Sequence, residues 1–336
     1  MTKPTAYELR YRRSDYTQPQ VETNEFIEQH LRRRTIRLFD SHKKVSTEQL
    51  NYLFTCAQAA PCSSGAGSWS AIVLTTPEEK QHFKLHAGEV LDNADDVNTA
   101  AYNTCSAYII WCLDNYKIQR GIELVAERRA HPDSLALLND RLKPGAETAT
   151  PDWSNQDRLF DADRHSAWLD QSYYSFRAMT DCTVAAQTFV MCAESLGIKT
   201  MYMGSLAHCN VASFKDVLQL PDRTFPIFGM CVGYEHPWGT DQNGIFRSTT
   251  ISNNFKKYPD WLVKPVMPLT SVVHHGAYNK DIIDSALLEY NETLREYTSQ
   301  VHPNRKGDYL VVRVTGRVKL VVNHIEQMRK MGNKFL

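Results

Sequence analysis

The chain has no excess of either charge: 38 Lys+Arg stand against 38 Asp+Glu, a formal net charge of +0 at pH 7. Without a global field there is no general attraction for nucleic acid or anionic lipid, so any anion site must be local. Long apolar runs are missing too. Nothing approaches the ~18 apolar residues of a membrane helix, and the charged N-terminus, MTKPTAYELRYRR, has no secretory apolar core, so the expectation is a cytoplasmic protein with no membrane partner. The eight cysteines include no CxxC pair and mostly sit in apolar stretches such as MCAESLG and FGMCVGY, which predicts reduced, buried thiols. No HExxH occurs, and the adjacent His274 and His275 would face opposite sides of a strand, so no metal is expected. GxGxxG and a Gly-Lys-Ser/Thr P-loop are also absent, which removes two common nucleotide-binding signatures.

What is present suits a folded protein. Hydrophobic residues make up 42% of 336, enough for one large domain or two ordinary ones. Residues 1–23 are polar and aromatic without periodicity and read as an N-terminal arm. A helix begins near Glu25. Ser46 and Gln49 have capping-box spacing, and Leu50, Leu53, Phe54 and Ala57 follow at helical intervals until Pro61. Residues 70–75 (SAIVLT) and 106–113 (SAYIIWCL) are short apolar runs read as buried strands. From 181 to 196 a helix is expected with Val184, Thr188, Met191, Cys192 and Ser195 on one face, stopping at Gly197 and entering the strand IKTMYMG. Asn210 is expected to cap a short helix over VASFKDVLQL, and TFPIFGMCVGYE reads as another strand. Residues 281–299 form a helix striped by Ile283, Leu287, Leu288, Leu294 and Tyr297; the tail DYLVVRVTGRVKLVV is read as mostly helical. Polar, tryptophan-bearing sequence over 115–175, with SLALLNDRL inside it, reads as an inserted helical lid, and a second polar insertion covers about 236–262. Helices and strands mix without strict βαβ alternation, which favours an α+β fold.

Four elements stand out chemically. Arg32-Arg33-Arg34-Thr35-Ile36-Arg37 is the densest cationic cluster in a neutral chain, and guanidinium forks with a hydroxyl suit phosphate oxygens. Ala59 to Trp69 (AAPCSSGAGSW) is a loop of small hydroxylic and glycyl residues that can wrap a polar ligand. SLGIKTMYMGS ends a strand with Gly204-Ser205, where a flat ligand can approach the backbone. Lys264-Pro265-Val266 places a lysine on a proline-fixed segment. Taken singly, a solvated basic face, a flexible turn, an ordinary strand end and a solvated lysine account for each.

In this order and spacing the four resemble the nitroreductase family of FMN enzymes, in particular its oxygen-insensitive NADPH nitroreductase and flavin reductase group. LQLPDRTFPIFGMCVGY and the tail YNETLREY with Asn304-Arg305-Lys306 carry the same likeness. The resemblance implies an α+β nitroreductase-like fold with a central, mainly antiparallel sheet flanked by helices. A single domain over 24–336, interrupted by the two insertions, would form a homodimer with FMN at the interface. It implies ping-pong hydride transfer from NADPH or NADH through flavin N5 to nitroaromatics, quinones or free flavin, a small planar oxidant in each case, with no catalytic side chain. Arg33, Arg34 and Thr35, with Ile36 between them and Arg37, would hold the phosphate, ribityl chain and N1 edge, and Lys264 would add charge. Cys62, Ser63 and Ser64 would come from the partner protomer. Asn98 or Thr99 would face the pyrimidine edge, Tyr202, Met203, Gly204 and Ser205 would lie over the ring near N5, and Arg305 would read the NADPH 2′-phosphate.

The chain also departs from the family pattern. Gly65 and Gly67 stand where Asn and Gln are usual, Val266 replaces an arginine, and Ser205 replaces a glycine; Arg32 is a candidate replacement for the lost cation. These departures keep two alternatives open: a flavin-binding storage or regulatory module with little turnover, and a narrow-substrate flavin reductase gated by the 115–175 insertion.

Overall fold

The stretch AYIIWCL lacks alternation because both of its faces are covered. In a computed structural model, which describes residues 10, 21–87, 91, 97–130, 161–204, 206, 213–237, 239–240, 246–247, 264–301 and 329–330, it forms β2 (Ala107–Asp114), buried along its whole length. Its neighbours are β1 (Trp69–Leu74) and β4 (Thr224–Gly233), and β3 (Lys199–Met203) closes the sheet in the order β1-β2-β4-β3, antiparallel throughout. The expected strands are therefore present, in the expected mainly antiparallel sheet.

Helices cover both faces. On one side Leu50 and Leu53 of α2 (Thr47–Gln58) and Phe189 of α7 (Ser172–Ser195) meet Ile109 and Trp111 of β2. On the other, Phe83 of α3 (Pro77–Ala87) and Tyr102 of α4 (Val97–Thr104) meet Tyr108 and Ile110. Each such large side chain contributes about 1.5–3 kcal/mol by leaving water. Tyr108 lies so close under β4 that a Cβ on Gly229 would sit 1.8 Å from its hydroxyl. The β4 ladder with β3 ends at Met203↔Gly229, whereas β4 itself runs back to Thr224 against β2. Between those points the register skips Ile227, a bulge beside Pro226, placed where a missing N–H breaks no bond to β3.

Local signals set the helix ends as expected. Ser46 and Gln49 form a complete capping box, Gln49 N donating to Ser46 Oγ at 3.2 Å and Ser46 N to Gln49 Oε1 at 3.0 Å. Asn24 caps α1 (Glu25–Arg32). Gly197, at φ +71°, ends α7 with Ile198 N on Ala193 O and Gly197 N on Glu194 O, the two bonds of a Schellman stop.

Three expectations need correction. Helix α7 starts at Ser172, not at Asp181, so its first turns occupy the end of the 115–175 segment. Its buried face is Cys182, Ala185, Ala186, Phe189, Val190 and Ala193 rather than Val184, Thr188, Met191, Cys192 and Ser195, none of which is buried; alanines allow the close approach to α2 and the sheet that bulkier residues would prevent. On α9 (Ile283–Val301) Leu294 is buried as expected, but Leu288 is 66% exposed, and Ala286, Asn291 and Thr293 turn inward. The rest of the 115–175 segment is helical where described, in α5 (Tyr116–Ala130) and α6 (Ala162–Trp168), and Arg223 ties it to the foot of β4 through Asp170 at 2.6 Å. The short helix α8 (Phe214–Val217) has Ser213 at its N-cap; Asn210, SLALLNDRL and the DYLVVRVTGRVKLVV tail lie outside the described residues. His274 and His275 are not on a strand. The seven described cysteines are free thiols; Cys105, Cys112, Cys182 and Cys231 are buried, while Cys56, Cys62 and Cys192 are half-buried.

Candidate functional site

After α1 the chain turns extended at Arg33 (ψ 134°) and runs alongside the exit of β4. Asp40 N donates to Tyr234 O at 2.9 Å and His236 N to Leu38 O at 3.2 Å. These bonds hold residues 33–39 against the sheet. Ile36 and Leu38 point into the core at 6% and 2% exposure, and the cationic side chains between and before them point away from it. Arg34 is half-buried, with Nη2 on Glu235 Oε1 at 3.1 Å. Arg37 is exposed. Arg32 reaches Glu28 on its own helix at 3.7 Å.

Lys264 reaches the same place from the far end of the sequence. Arg10 donates from Nε to Leu31 O at 2.7 Å, from Nη1 to Lys264 O at 3.0 Å and from Nη2 to Arg33 O. Its own carbonyl accepts from Val266 N at 3.3 Å.

Strand β3 supplies the next side. Met201 and Met203 are buried and Tyr202 is 37% exposed, the alternation that a strand imposes. The Tyr202 ring lies 5.0 Å from that of Phe228. Burial pushes its phenol up to about 12, opposed by the charge of Arg33. Just past the strand, a Cβ on Gly204 would meet none of the described residues within 4 Å, which leave open space over this backbone.

The loop of residues 62–68 is held by α7. Asp181, 5% exposed, accepts from Ser63 N at 3.1 Å and from Ser68 Oγ at 2.7 Å, and Arg177 Nη2 donates to Ser63 O at 2.6 Å. The loop backbone is left-handed at Ser64 (φ 57°), Gly65 (φ 63°) and Gly67 (φ 55°). Glycine at 65 and 67 is thus a conformational requirement of this loop, and Ser64 bears strain of a kind that collects at functional sites.

Asn98 and Thr99 sit in the first turn of α4, which is fastened to the arginine segment by Phe39 N on Thr104 Oγ1 at 3.2 Å. The Thr99 hydroxyl is buried and has no hydrogen-bond partner among the described residues.

The structure therefore brings the Arg33 and Lys264 backbones together through Arg10, sets Arg34 on Glu235, and places Tyr202 and Gly204 at the end of β3. Ile36 and Met203 contribute only backbone here, because their side chains belong to the core. Ser205 and Arg305 lie outside the described residues. Sequence reading missed Arg10, Arg177, Asp181 and Glu235. Asp181 did carry a signal, a carboxylate heading an apolar helix face; Arg10 and Glu235 carried none, since only folding brings them to residue 33.

The nitroreductase family model matches residues 31–234. Among curated proteins, the chain is 22% identical over 279 residues to the Cr(VI) reductase of Pseudomonas sp. (strain G-1), covering 82% of this chain and 84% of that protein. It is 24% identical over 276 residues to the FMN reductase (NADPH) of Bacillus subtilis (strain 168), covering 82% and 83%. Among solved structures, the NfrA1 nitroreductase from B. subtilis superposes with a TM-score of 0.63 at 21% identity, over 91% of this chain and 98% of that one.

Proposed function

This chain belongs to the nitroreductase family, and from that premise we propose that it is an FMN-dependent NAD(P)H oxidoreductase acting on small planar oxidants such as nitroaromatics, quinones or free flavin. The observation that carries the reading is the lacing of the Arg33 and Lys264 backbones by Arg10, with Arg34 next in the chain and set on Glu235. The residues fit the cofactor on three counts. Cations cluster where a neutral chain has little other reason to gather them, the Thr99 hydroxyl lacks a partner among the described residues, and those residues leave room for a flat ring over Gly204. Bound FMN supplies two-electron chemistry, taking hydride from NAD(P)H and returning two electrons to the oxidant.

Arg33, Arg34, Thr35 and Lys264 hold the phosphate and ribityl chain, with Glu235 orienting the Arg34 fork. Arg37, Asn98 and Thr99 serve the pyrimidine end, the Tyr202 to Ser205 backbone lies against the ring, and Arg305 reads the 2′-phosphate of NADPH. No side chain is needed to shuttle protons, because solvent protonates the products. Phe26 and Ile27 of α1 and Tyr173, Phe176 and Met179 of α7 are exposed, and the two helices touch. This apolar surface supports a homodimer in which Cys62, Ser63 and Ser64 of each protomer reach the flavin of the other. Helices α5 and α6 of the 115–175 segment would cover the mouth, and the protein would work in the cytoplasm.

Purified protein is expected to be a yellow dimer with one FMN per chain, bleached anaerobically by NADPH. A colourless monomer that excess FMN cannot reconstitute refutes the reading, and a yellow protein that NADPH cannot bleach refutes the enzymatic part.

A further inference from the structure

We infer that Arg10, from the N-terminal segment outside the family-matched residues, is a positioning residue for the phosphate end of the cofactor site; this rests on the FMN reading above. The guanidinium spends donors on the carbonyls of Leu31, Arg33 and Lys264, and the Arg10 carbonyl takes the amide of Val266. One residue thus closes the turn after α1 and laces the Lys264 segment to it.

Two physical consequences follow. Arg33 and Lys264 are held at a fixed separation, so the order needed to meet a phosphate is set before the ligand arrives. Carbonyl oxygens, whose negative ends repel an anion, are occupied by a cation, so the segment faces its ligand with donors and positive charge. Arginine suits the task because its planar fork reaches several acceptors at once, whereas lysine is a point charge on a flexible stem. Arg10 also brings a positive charge to the segment on which Val266 sits.

The test uses riboflavin, which lacks the phosphate. Protein stripped of flavin is titrated with FMN and with riboflavin for the unmodified chain, Arg10→Ala, Arg10→Lys and Arg34→Ala. Arg10→Ala is expected to lower FMN affinity about tenfold or more while riboflavin affinity holds, so the preference for FMN collapses. Arg10→Lys is expected to fall with it. An equal loss for both ligands, or no loss for either, overturns the inference by leaving Arg10 a merely structural part. Arg10→Lys binding like the unmodified chain overturns it too, because charge alone would then suffice. If Arg10→Ala does not fold, Arg10→Lys decides. Arg34→Ala separates the two claims: failure of that variant to reduce FMN preference sinks the phosphate reading itself, whereas a reduction there with none in the Arg10 variants sinks only the role of Arg10.

Discussion

The loop of residues 62–68 and the cation end around Arg33 are both irregular backbone, yet opposite chemistries hold them. In the loop a buried carboxylate, Asp181, collects donors from Ser63 and Ser68. At the cation end a guanidinium, Arg10, collects carbonyls. The loop is braced by a helix inside the family-matched body; the cation end depends on Arg10 and Lys264, both outside residues 31–234. The loop is therefore coupled to the stability of the core, and the cation end is coupled mainly to ligand affinity.

Substitutions that separate stability from affinity break or sharpen that comparison. The largest expected effect is Asp181→Ala, which leaves the Ser63 amide and the buried Ser68 hydroxyl without their acceptor. A loss of about 3 kcal/mol is expected in urea unfolding from the two lost hydrogen bonds to the carboxylate; a loss below about 1 kcal/mol would show that the loop is not braced from the core.

At the cation end, Lys264→Ala is expected to weaken FMN about fivefold to tenfold with an unchanged unfolding midpoint of the flavin-free protein. Added salt should narrow the difference from the parent. A fall in stability without a fall in affinity would reverse the comparison.

Within the loop, Gly67→Ala is expected to cost about 1 kcal/mol, measured by thermal unfolding. No atom lies within 4 Å of the added Cβ, so the cost is the left-handed backbone alone. Gly65→Asn should cost less, because asparagine tolerates that conformation. Equal, negligible costs at both positions would mean that the loop relaxes freely.

The smallest effect calibrates both regions. Glu79, in the first turn of α3, accepts from the Thr75 and Thr76 amides at 2.8 and 2.9 Å, and the Thr76 amide foremost holds its carboxyl below the ordinary 4.5. A lowered folded value means that the stabilisation is complete above pH 4.5 and is lost as pH falls through the folded value. Glu79→Ala should cost about 0.5–1 kcal/mol at neutral pH, with the gap from the parent narrowing in acid; a gap that is constant with pH would contradict the cap.

Legibility in the sequence followed the range of the interaction. The Ser46–Gln49 box and the Gly197 stop were readable because both close within a few residues. The strands were readable as apolar runs because both faces of β2 are covered. The inward face of α7 was not, since Val184 and Met191 are as apolar as Ala185 and Ala186; the choice belongs to the sheet and α2, against which Ala185 and Ala186 pack beside Phe189 and Val190. The start of α7 was missed for a related reason. Ser172 to Thr180 are polar and aromatic, and their helicity is supported by Asp181 and Arg177 gripping the Ser63 loop. In the candidate site, the arginine cluster, the small-residue loop and Gly204 were visible as patterns, but Ile36 and Met203 proved to be core side chains.

By itself the sequence determined the α+β class, the helix caps, the buried strands and the residue types an anion site requires, because propensity, capping and burial act over a few residues. Tertiary structure alone decided which cations share a place, since Arg10, Arg33 and Lys264 meet only when β3 and β4 and the segments after α1 and before α9 have packed. A hydrogen bond between residues 254 apart leaves no periodicity for a reader to find.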